Sequence, residues 1–145
     1  MPDIVDVPIQ ISETATLPSY QTQGAAGMDL CCSESFAIES MERKLVGTGI
    51  RIAIPEGYEG QVRPRSGLAI RHGISLVNSP GTIDSDYRGE VKLILINFGK
   101  EAVQFSQGER IGQLVLCPVV RAWLKVIDGL DGTERGEAGF GSTGR

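Results

Sequence analysis

The first chemical feature of the sequence is a group of arginines in a chain that is acidic overall. The 145 residues carry a formal net charge of −4. Residues 60–83 nevertheless contain no Asp or Glu, and they include Arg63, Arg65 and Arg71. The segment therefore predicts a local cationic surface, suited to an anion. A solvated arginine face without a ligand is the plainer interpretation of this segment taken alone.

A short helical pattern overlaps these arginines. Ser66 is the expected N-cap, residues 67–72 follow it, and Gly73 is the expected C′ glycine. Because free N–H groups and the helix dipole favour negative charge at a helix start, Arg65 and Ser66 predict a phosphate site. An ordinary capping serine is the alternative.

Two carboxylates lie in the polar segment that follows, residues 78–90, which has turn residues at both ends. Asp84 and Asp86 are spaced i, i+2, which on an extended segment puts both side chains on one face. Repulsion between the two carboxylates could then raise the pKa of one of them, which would allow it to act as a general base. The alternative is a polar hairpin tip with solvated aspartates.

The end of the chain is rich in glycine. Residues 129–145 contain six glycines, and Phe140 is the only large apolar residue after Leu130. Such a segment buries too little apolar surface to order itself, so we predict a mobile tail after a domain of residues 1–128. Glycine N–H groups can surround phosphate oxygens and an aromatic ring can cover a base, although an ordinary disordered tail has the same composition.

Composition limits the class of protein. The length corresponds to one domain, and 41% hydrophobic and 22% charged residues are typical of a globular chain. No apolar run reaches membrane-spanning length, and the acidic balance argues against nucleic-acid or membrane partners. Three cysteines and one histidine offer no zinc-site spacing and fit reduced thiols. We therefore expect a soluble, cytoplasmic protein.

Short apolar runs separated by glycine and proline predict strands. Residues 50–54 alternate between isoleucine and other residues, residues 91–96 form a second strand, and residues 114–120 form a third. The third run is apolar at consecutive positions, so we expect it to be covered on both faces. The pattern predicts an all-β sandwich or barrel with one short helix.

Several other residues are expected to have structural or surface roles without catalytic chemistry. Cys31 and Cys32 are expected to be inert thiols in a strand, since no basic residue adjoins them. Trp123 and Phe98 are expected in the core or in an interface. His72 is expected on the surface at the end of the helix.

The order of five motifs along the chain resembles the trimeric deoxyuridine triphosphatases, or dUTP diphosphatases. The resemblance covers nearly the whole sequence. The motifs are Ala25-Ala26-Gly27-Met28-Asp29-Leu30, Arg63-Pro64-Arg65-Ser66-Gly67-Leu68-Ala69, Gly81 through Glu90, Arg110-Ile111-Gly112-Gln113-Leu114, and Arg135 through Gly144.

This resemblance implies a jelly-roll β subunit in a homotrimer, with active sites at the contacts between subunits. The implied reaction is hydrolysis of dUTP to dUMP and pyrophosphate with Mg²⁺ bound mainly through the substrate. Two rival functions stay open: a dCTP deaminase of the same fold, for which Glu90 is the nearest candidate acid, and a non-catalytic trimeric nucleotide-binding module.

The resemblance also implies roles for individual residues. Asp84 matches the catalytic aspartate, which orients and deprotonates the water that attacks the α-phosphorus. Asp29 matches the aspartate of the first motif, with an indirect role, through water, at the metal. The matching phosphate binders are Arg65, Ser66, Gly67 and Gln113.

Further positions match the base, the sugar and the tail. Asn78 matches the amide that pairs with uracil, assisted by backbone groups at Thr82, at Ile83 and near Lys92. Tyr87 matches the ring under the deoxyribose, where a ribose 2′-hydroxyl would collide. The tail positions expected to close over phosphates and base, in a neighbouring subunit, are Arg135, Phe140, Gly141, Ser142 and Thr143.

Overall fold

The structure is a computed structural model, and it describes residues 4–144. Ten strands and one helix form in these residues, and the predicted all-β fold with one short helix is confirmed. The elements are β1 (Ile9–Ile11), β2 (Met28–Cys31), β3 (Phe36–Ile38), β4 (Arg43–Ile52), β5 (Tyr58–Arg63), α1 (Ser66–His72), β6 (Ile74–Leu76), β7 (Gly81–Ile83), β8 (Glu90–Asn97), β9 (Val103–Phe105) and β10 (Arg110–Pro118).

Two four-stranded antiparallel sheets face each other, as in a jelly roll. One has the strand order β1-β4-β8-β6 and the other β2-β10-β5-β7, while β3 pairs with β9 in a small third sheet. Consecutive strands therefore alternate between sheets in several places. In particular, β7 and β8 belong to different sheets, so the residues between them cross from one layer to the other.

The core lies between the two sheets. Val91, Leu93 and Leu95 of β8 are buried, and the residues between them are more exposed, as expected for a strand with one covered face. Ile111 and Leu114 of β10 belong to the same apolar cluster from the opposite sheet. One continuous core therefore holds both sheets together.

The predicted strands form with different bounds at their ends. The 91–96 run lies within β8, and the 50–54 run continues the end of β4. The third run ends as a strand at Pro118, with one further backbone hydrogen bond from Val119, so the prediction of a strand through Val120 was wrong. Leu114 and Val115 are both buried, but coverage of consecutive residues goes no further.

Helix α1 begins one residue earlier than the predicted cap implies. Arg65 has extended backbone angles and its carbonyl accepts the first helical hydrogen bond, from the N–H of Ala69. Arg65 is therefore the N-cap and Ser66 is already helical, so the prediction of Ser66 as N-cap was wrong. Gly73 ends the helix with φ of 70°, in the left-handed region, as predicted.

The chain leaves the sheets after β10. The N–H of Val119 donates to the carbonyl of Gly57 at 2.9 Å. From 120 to 144, within the described part of the chain, no strand or helix forms. Within residues 4–144, no helix is long and apolar enough to cross a membrane.

Candidate active site

A polar cleft of about 390 Å³ opens between α1 and the β2-β10 edge of its sheet. We call it the Asp29 cleft. Its lining residues are Gln21, Ala25, Ala26, Gly27, Asp29, Arg65, Ser66, Gly67, Arg110 and Gln113. The cleft thus gathers side chains from the first, second and fourth motifs.

Two arginines form ion pairs with one carboxylate in this cleft. Arg65 Nε lies 3.3 Å from Asp29 Oδ1, and Arg110 Nη1 donates to Asp29 Oδ2 at 3.1 Å. The carboxylate is mostly buried, whereas both guanidinium groups keep part of their surface in water. Because two positive charges face one negative charge, the cleft has a net positive charge and holds its arginines ready for an anion.

Sheet register explains why these residues meet. Across the sheet, Asp29 of β2 pairs with Gln113 of β10, and Gln113 pairs with Arg63 of β5. The side-chain amide of Gln113 donates to the carbonyl of Pro64 at 3.0 Å. This bond fixes the residues that lead into α1, and so positions Arg65.

The start of α1 faces the same cleft. Within the described residues, no side chain caps the helix and its first turn contains no acidic residue. Ser66 and Gly67 are in this first turn and line the cleft. Backbone N–H groups of a first helical turn lack intrahelical partners, so they are donors for an anion bound there.

Asp84 and Tyr87 lie elsewhere, in a loop of residues 84–89 that connects β7 to β8. The N–H of Tyr87 donates to the Asp84 carbonyl at 3.1 Å, which closes a turn. The expected extended segment with Asp84 and Asp86 on one face was therefore wrong, and so was the hairpin alternative, because β7 and β8 do not pair with each other. Both aspartates are exposed to solvent.

The 84–89 loop is held by contacts of its own. Tyr87 Oη donates to the carbonyl of Glu90 at 2.9 Å. The Arg88 guanidinium donates to the carbonyls of Ser85 at 2.7 Å and Tyr87 at 3.0 Å. The phenol ring is thus held against the base of the loop, with one edge exposed.

A single chain does not bring the loop to the Asp29 cleft. In the β5-β7 pair, Ile83 lies opposite Gly60, whereas Arg63 lies in the row of Gln113 and Asp29. At about 3.3 Å per residue, Asp84 is roughly 13 Å farther along the sheet than this row. Neither Asp84 nor Tyr87 lines the Asp29 cleft.

The remaining base and sugar candidates surround β7. β7 is an edge strand, so one side of its backbone at Thr82 and Ile83 has no ladder partner among the described strands. Asn78 is exposed just before the cis Ser79–Pro80 peptide, and its amide lies over Gly81. Lys92 is on β8 in the other sheet.

The tail candidates stay outside the Asp29 cleft of their own chain. Hydrogen bonds of the described tail join neighbouring tail residues, such as Arg135 Nε to the Ala138 carbonyl at 2.8 Å. The Phe140 side chain is fully exposed. None of the tail residues that the resemblance implicates lines the Asp29 cleft of its own chain. These residues are Arg135, Phe140, Gly141, Ser142 and Thr143.

Two contacts were missed from the sequence. Arg110 stands in the fourth motif, yet nothing local indicates that it pairs with Asp29, 81 residues away. The sequence suggests for Glu90 only the role of a deaminase acid, whereas its Oε1 accepts a hydrogen bond from the Gly49 N–H at 2.9 Å. Only the register of the two sheets reveals these pairs.

Both thiols are buried, but only Cys31 lies in a strand, so the prediction of a strand position was wrong for Cys32. Cys31 is in β2 and Cys32 follows it, and Cys32 Sγ donates to the Ser106 carbonyl at 3.1 Å. Burial is the main cause that raises the pKa of each thiol, which favours the protonated form near neutral pH, and low reactivity stays a prediction. Trp123 and Phe98 are exposed in one chain, which excludes the core alternative for both, and a position in an interface stays a prediction.

Comparisons with known proteins agree on one family. A family model described as dUTPase matches residues 13–144. The deoxyuridine 5'-triphosphate nucleotidohydrolase of Anaeromyxobacter sp. (strain Fw109-5) is 59% identical over 129 residues, which cover 89% of this chain and 88% of that protein. The protein of the same name from Fusobacterium nucleatum subsp. nucleatum is 53% identical over 97% of this chain and 98% of its own.

A solved structure agrees with the fold. The Staphylococcus bacteriophage 80alpha dUTPase with dUPNHPP has a TM-score of 0.91 and 26% identity, covering 97% of this chain and 99% of that chain. The family model spans every strand of the two sheets except β1, together with most of the tail, and the relatives share more than half of their residues with this chain. The chain belongs to the dUTPase family.

Proposed function

We propose that this protein hydrolyses dUTP to dUMP and pyrophosphate, limiting uracil incorporation into DNA and supplying dUMP for thymidylate synthesis. The observation that carries the proposal is the Asp29 cleft, in which Arg65 and Arg110 are braced by one carboxylate beside the uncapped start of α1. That arrangement suits a polyphosphate, and membership of the dUTPase family identifies the nucleotide.

The cleft residues bind the triphosphate. The Arg65 guanidinium and the N–H groups of Ser66 and Gly67 neutralise and orient phosphate oxygens, while Gln113 holds the Pro64 carbonyl and with it the start of the helix. Because phosphoryl transfer depends mainly on positioning and charge neutralisation, pre-aligned donors of this kind lower the barrier directly.

Asp84 is the general base of the proposed reaction. Its exposed carboxylate orients a water and accepts its proton as the water oxygen attacks the α-phosphorus. The bond from the α-phosphorus to the bridging oxygen breaks, and pyrophosphate leaves with that oxygen. The Arg65 and Arg110 charges stabilise the leaving group.

Mg²⁺ fits this site as a companion of the substrate. Within residues 4–144, no group of three or more His, Cys, Asp or Glu side chains is placed to hold a metal ion. A triphosphate chelates Mg²⁺ through its own oxygens, and bound Mg²⁺ neutralises phosphate charge. Asp29 is the nearest carboxylate for an indirect role through water, but both of its oxygens already contact arginines, and we propose that its main role is to position them.

The edge strand and the 84–89 loop select the nucleoside. The Asn78 amide and the unpaired backbone edge at Thr82 and Ile83 recognise uracil, assisted near Lys92, and a tight fit around C5 penalises the thymine methyl. The Tyr87 ring packs under the deoxyribose and excludes a 2′-hydroxyl by steric contact. These groups select the base and the sugar by their shape, while the Asp29 cleft binds the negative charge of the triphosphate.

The distance between the loop and the cleft supports a homotrimer. One chain keeps Asp84 away from its own Asp29 cleft, so we propose that each site combines the cleft of one subunit with the loop of another. The segment that follows β10 supports the same assembly, because its apolar side chains are exposed in a single chain. These side chains are Val119, Val120, Trp123, Leu124, Val126, Ile127 and Leu130.

The tail completes the proposed site. We propose that residues 129–145 form a segment separate from the domain of residues 1–128 and close over a neighbouring subunit's nucleotide. Arg135 and the hydroxyls of Ser142 and Thr143 contact phosphates, Gly141 allows close backbone approach, and Phe140 covers the base. Closure excludes water other than the attacking molecule.

One assay tests the proposed reaction. Pyrophosphate and ammonia are measured after separate incubation with dUTP, dTTP, dCTP and UTP in the presence of Mg²⁺. We expect pyrophosphate from dUTP, little from the other three, and no ammonia from dCTP. Ammonia from dCTP would identify the deaminase, and nucleotide binding without pyrophosphate release would identify the non-catalytic module.

A further inference from the structure

The ladder between β4 and β8 is interrupted beside the 84–89 loop. Gly47 pairs with Lys92 and Arg51 pairs with Glu90, so β4 advances four residues while β8 advances two. Gly49 lies within this bulge with φ of 70°, and a side chain there would collide with the Ser12 hydroxyl and Ala15. The bulge therefore depends on a glycine backbone and on some partner for its displaced N–H groups.

The Glu90 side chain supplies that partner. Its Oε1 accepts a hydrogen bond from the Gly49 N–H at 2.9 Å, and a Cβ at Gly47 would lie only 2.6 Å from the same oxygen. The carboxylate is half-buried between Gly47 and Gly49, and its Oε2 lies 3.6 Å from Lys92 Nζ. Because the Lys92 pair is more exposed than the Gly49 contact, water screens it and the hydrogen bond is the stronger link.

The backbone of the same residue holds Tyr87. The Glu90 carbonyl accepts the phenol hydroxyl at 2.9 Å, and a Cβ at Gly89 would collide with the phenol ring. Glu90 therefore joins three groups through one residue: the β4 bulge, the Lys92 ammonium and the Tyr87 hydroxyl. A shift of its side chain moves the start of β8, and with it the position of the ring.

We propose that Glu90 is a positioning residue for nucleoside selection, acting through its hydrogen bond to the Gly49 N–H. The carboxylate fixes the start of β8 on the bulge, which sets where the Tyr87 ring stands and hence how closely it fits a 2′-deoxy sugar. This assignment rests on the proposed function, in which Tyr87 excludes the ribose 2′-hydroxyl. It also gives Glu90 a role other than the proton transfer that a deaminase would require.

Two substitutions separate reach from charge. Glu90→Asp keeps the negative charge but is one methylene shorter, so it cannot reach Gly49 without moving β8. Glu90→Gln keeps the length and an amide oxygen acceptor for Gly49 but loses the charge that faces Lys92. Glu34→Ala is the matched control. Glu34 lines the same clefts as Glu90, so this substitution removes a different carboxylate from them.

The first measurement is the ratio of kcat/KM for dUTP to that for UTP. We expect Glu90→Asp to lower this ratio about tenfold, as expected for loss of a hydrogen bond to a charged group, and Glu90→Gln and Glu34→Ala to change it less than about threefold. A wild-type ratio in Glu90→Asp would overturn the proposal. Equal losses in Asp and Gln would assign the effect to charge and would also overturn it.

The second measurement needs no substrate. Hydrogen exchange of the Gly49 amide, followed by NMR, should become faster in Glu90→Asp and stay slow in Glu90→Gln. Fast exchange together with an unchanged dUTP/UTP ratio would show a purely structural role and contradict the assignment. If the wild-type protein does not hydrolyse dUTP, the proposed function fails by itself, while unchanged Gly49 exchange in Glu90→Asp separately refutes the contact on which this proposal depends.

Discussion

The Asp29 cleft and the 84–89 loop differ in how their side chains are held. In the cleft, Asp29 engages two arginines from different elements, and Gln113 fastens the approach to α1. In the loop, Asp84 is exposed and the contacts run between near neighbours in sequence. The cleft therefore holds its charged groups in place within one chain, whereas the loop exposes Asp84 to solvent, as we propose for a residue that acts in another subunit's site.

This difference suggests that phosphate binding and the chemical step depend on separate regions of the molecule. Groups that bind a highly charged substrate are costly to orient at the moment of binding, so a braced arrangement is useful before the substrate arrives. In the proposed mechanism the base meets the α-phosphorus of a nucleotide bound in another subunit's cleft, so assembly of the subunits would deliver it. Substitutions in the two regions should accordingly change different kinetic constants.

The largest expected effect is that of Asp84→Asn. The amide keeps the shape of the side chain but cannot accept the proton of the attacking water, so we expect kcat to fall by about 10²–10⁴-fold with nucleotide binding retained. Steady-state kinetics and equilibrium titration with dUTP measure the two quantities. Retention of more than roughly a tenth of wild-type kcat would remove Asp84 from the role of base.

Asp29→Asn should act on binding instead. Without the carboxylate, Arg65 and Arg110 lose their shared brace, and we expect kcat/KM to fall by about 10–100-fold, mostly through KM. Glu56→Gln, in an exposed turn, is the matched control and should leave both constants unchanged. A fall in kcat alone would place Asp29 in the chemical step and weaken the distinction between the two regions.

Tyr87→Ala tests selectivity within the loop. Removing the ring leaves room for a 2′-hydroxyl, so we expect the dUTP/UTP ratio of kcat/KM to fall by about 10–100-fold, chiefly because UTP becomes a better substrate. The comparison requires both nucleotides under the same conditions. If the ratio did not change, the sugar would be selected by other residues.

The smallest expected effect concerns the two buried thiols. Because burial raises the pKa of Cys31 and Cys32, their reactive thiolate forms are scarce in the native protein near pH 8. We expect iodoacetamide to label them only as fast as the protein unfolds, and enzymatic activity to be unaffected by brief treatment. Peptide mass spectrometry after labelling measures this, and rapid modification of either thiol in folded protein would contradict it.

Local patterns predicted the elements well but not the contacts between them. The alternation in β8 and the glycine at the end of α1 are properties of neighbouring residues, and both could be read from the sequence. The pairing of Arg110 with Asp29 depends on how β2 and β10 align, which no local pattern encodes. The prediction that Asp84 and Asp86 share one face was wrong because it required an extended backbone, whereas a turn forms there.

The exposed apolar segment after β10 shows a second reason for failure. Residues 114–120 are predicted as one buried strand, but β10 ends at Pro118 and Val120 is 98% exposed in a single chain. Trp123 is likewise 89% exposed, although its size favours burial. A sequence indicates that such side chains need a partner surface, but it does not show where that surface lies; in the assembly that we propose, it belongs to another subunit.

The most direct test of the account mixes two inactive proteins. One carries Asp84→Asn with an intact tail, and the other has an intact Asp84 but lacks residues 132–145. After subunit exchange, verified by native mass spectrometry, we expect mixed trimers to regain pyrophosphate release from dUTP, because some sites then combine an intact loop from one chain with an intact tail from another. Mixed trimers that remain as inactive as either parent would contradict an active site shared between subunits.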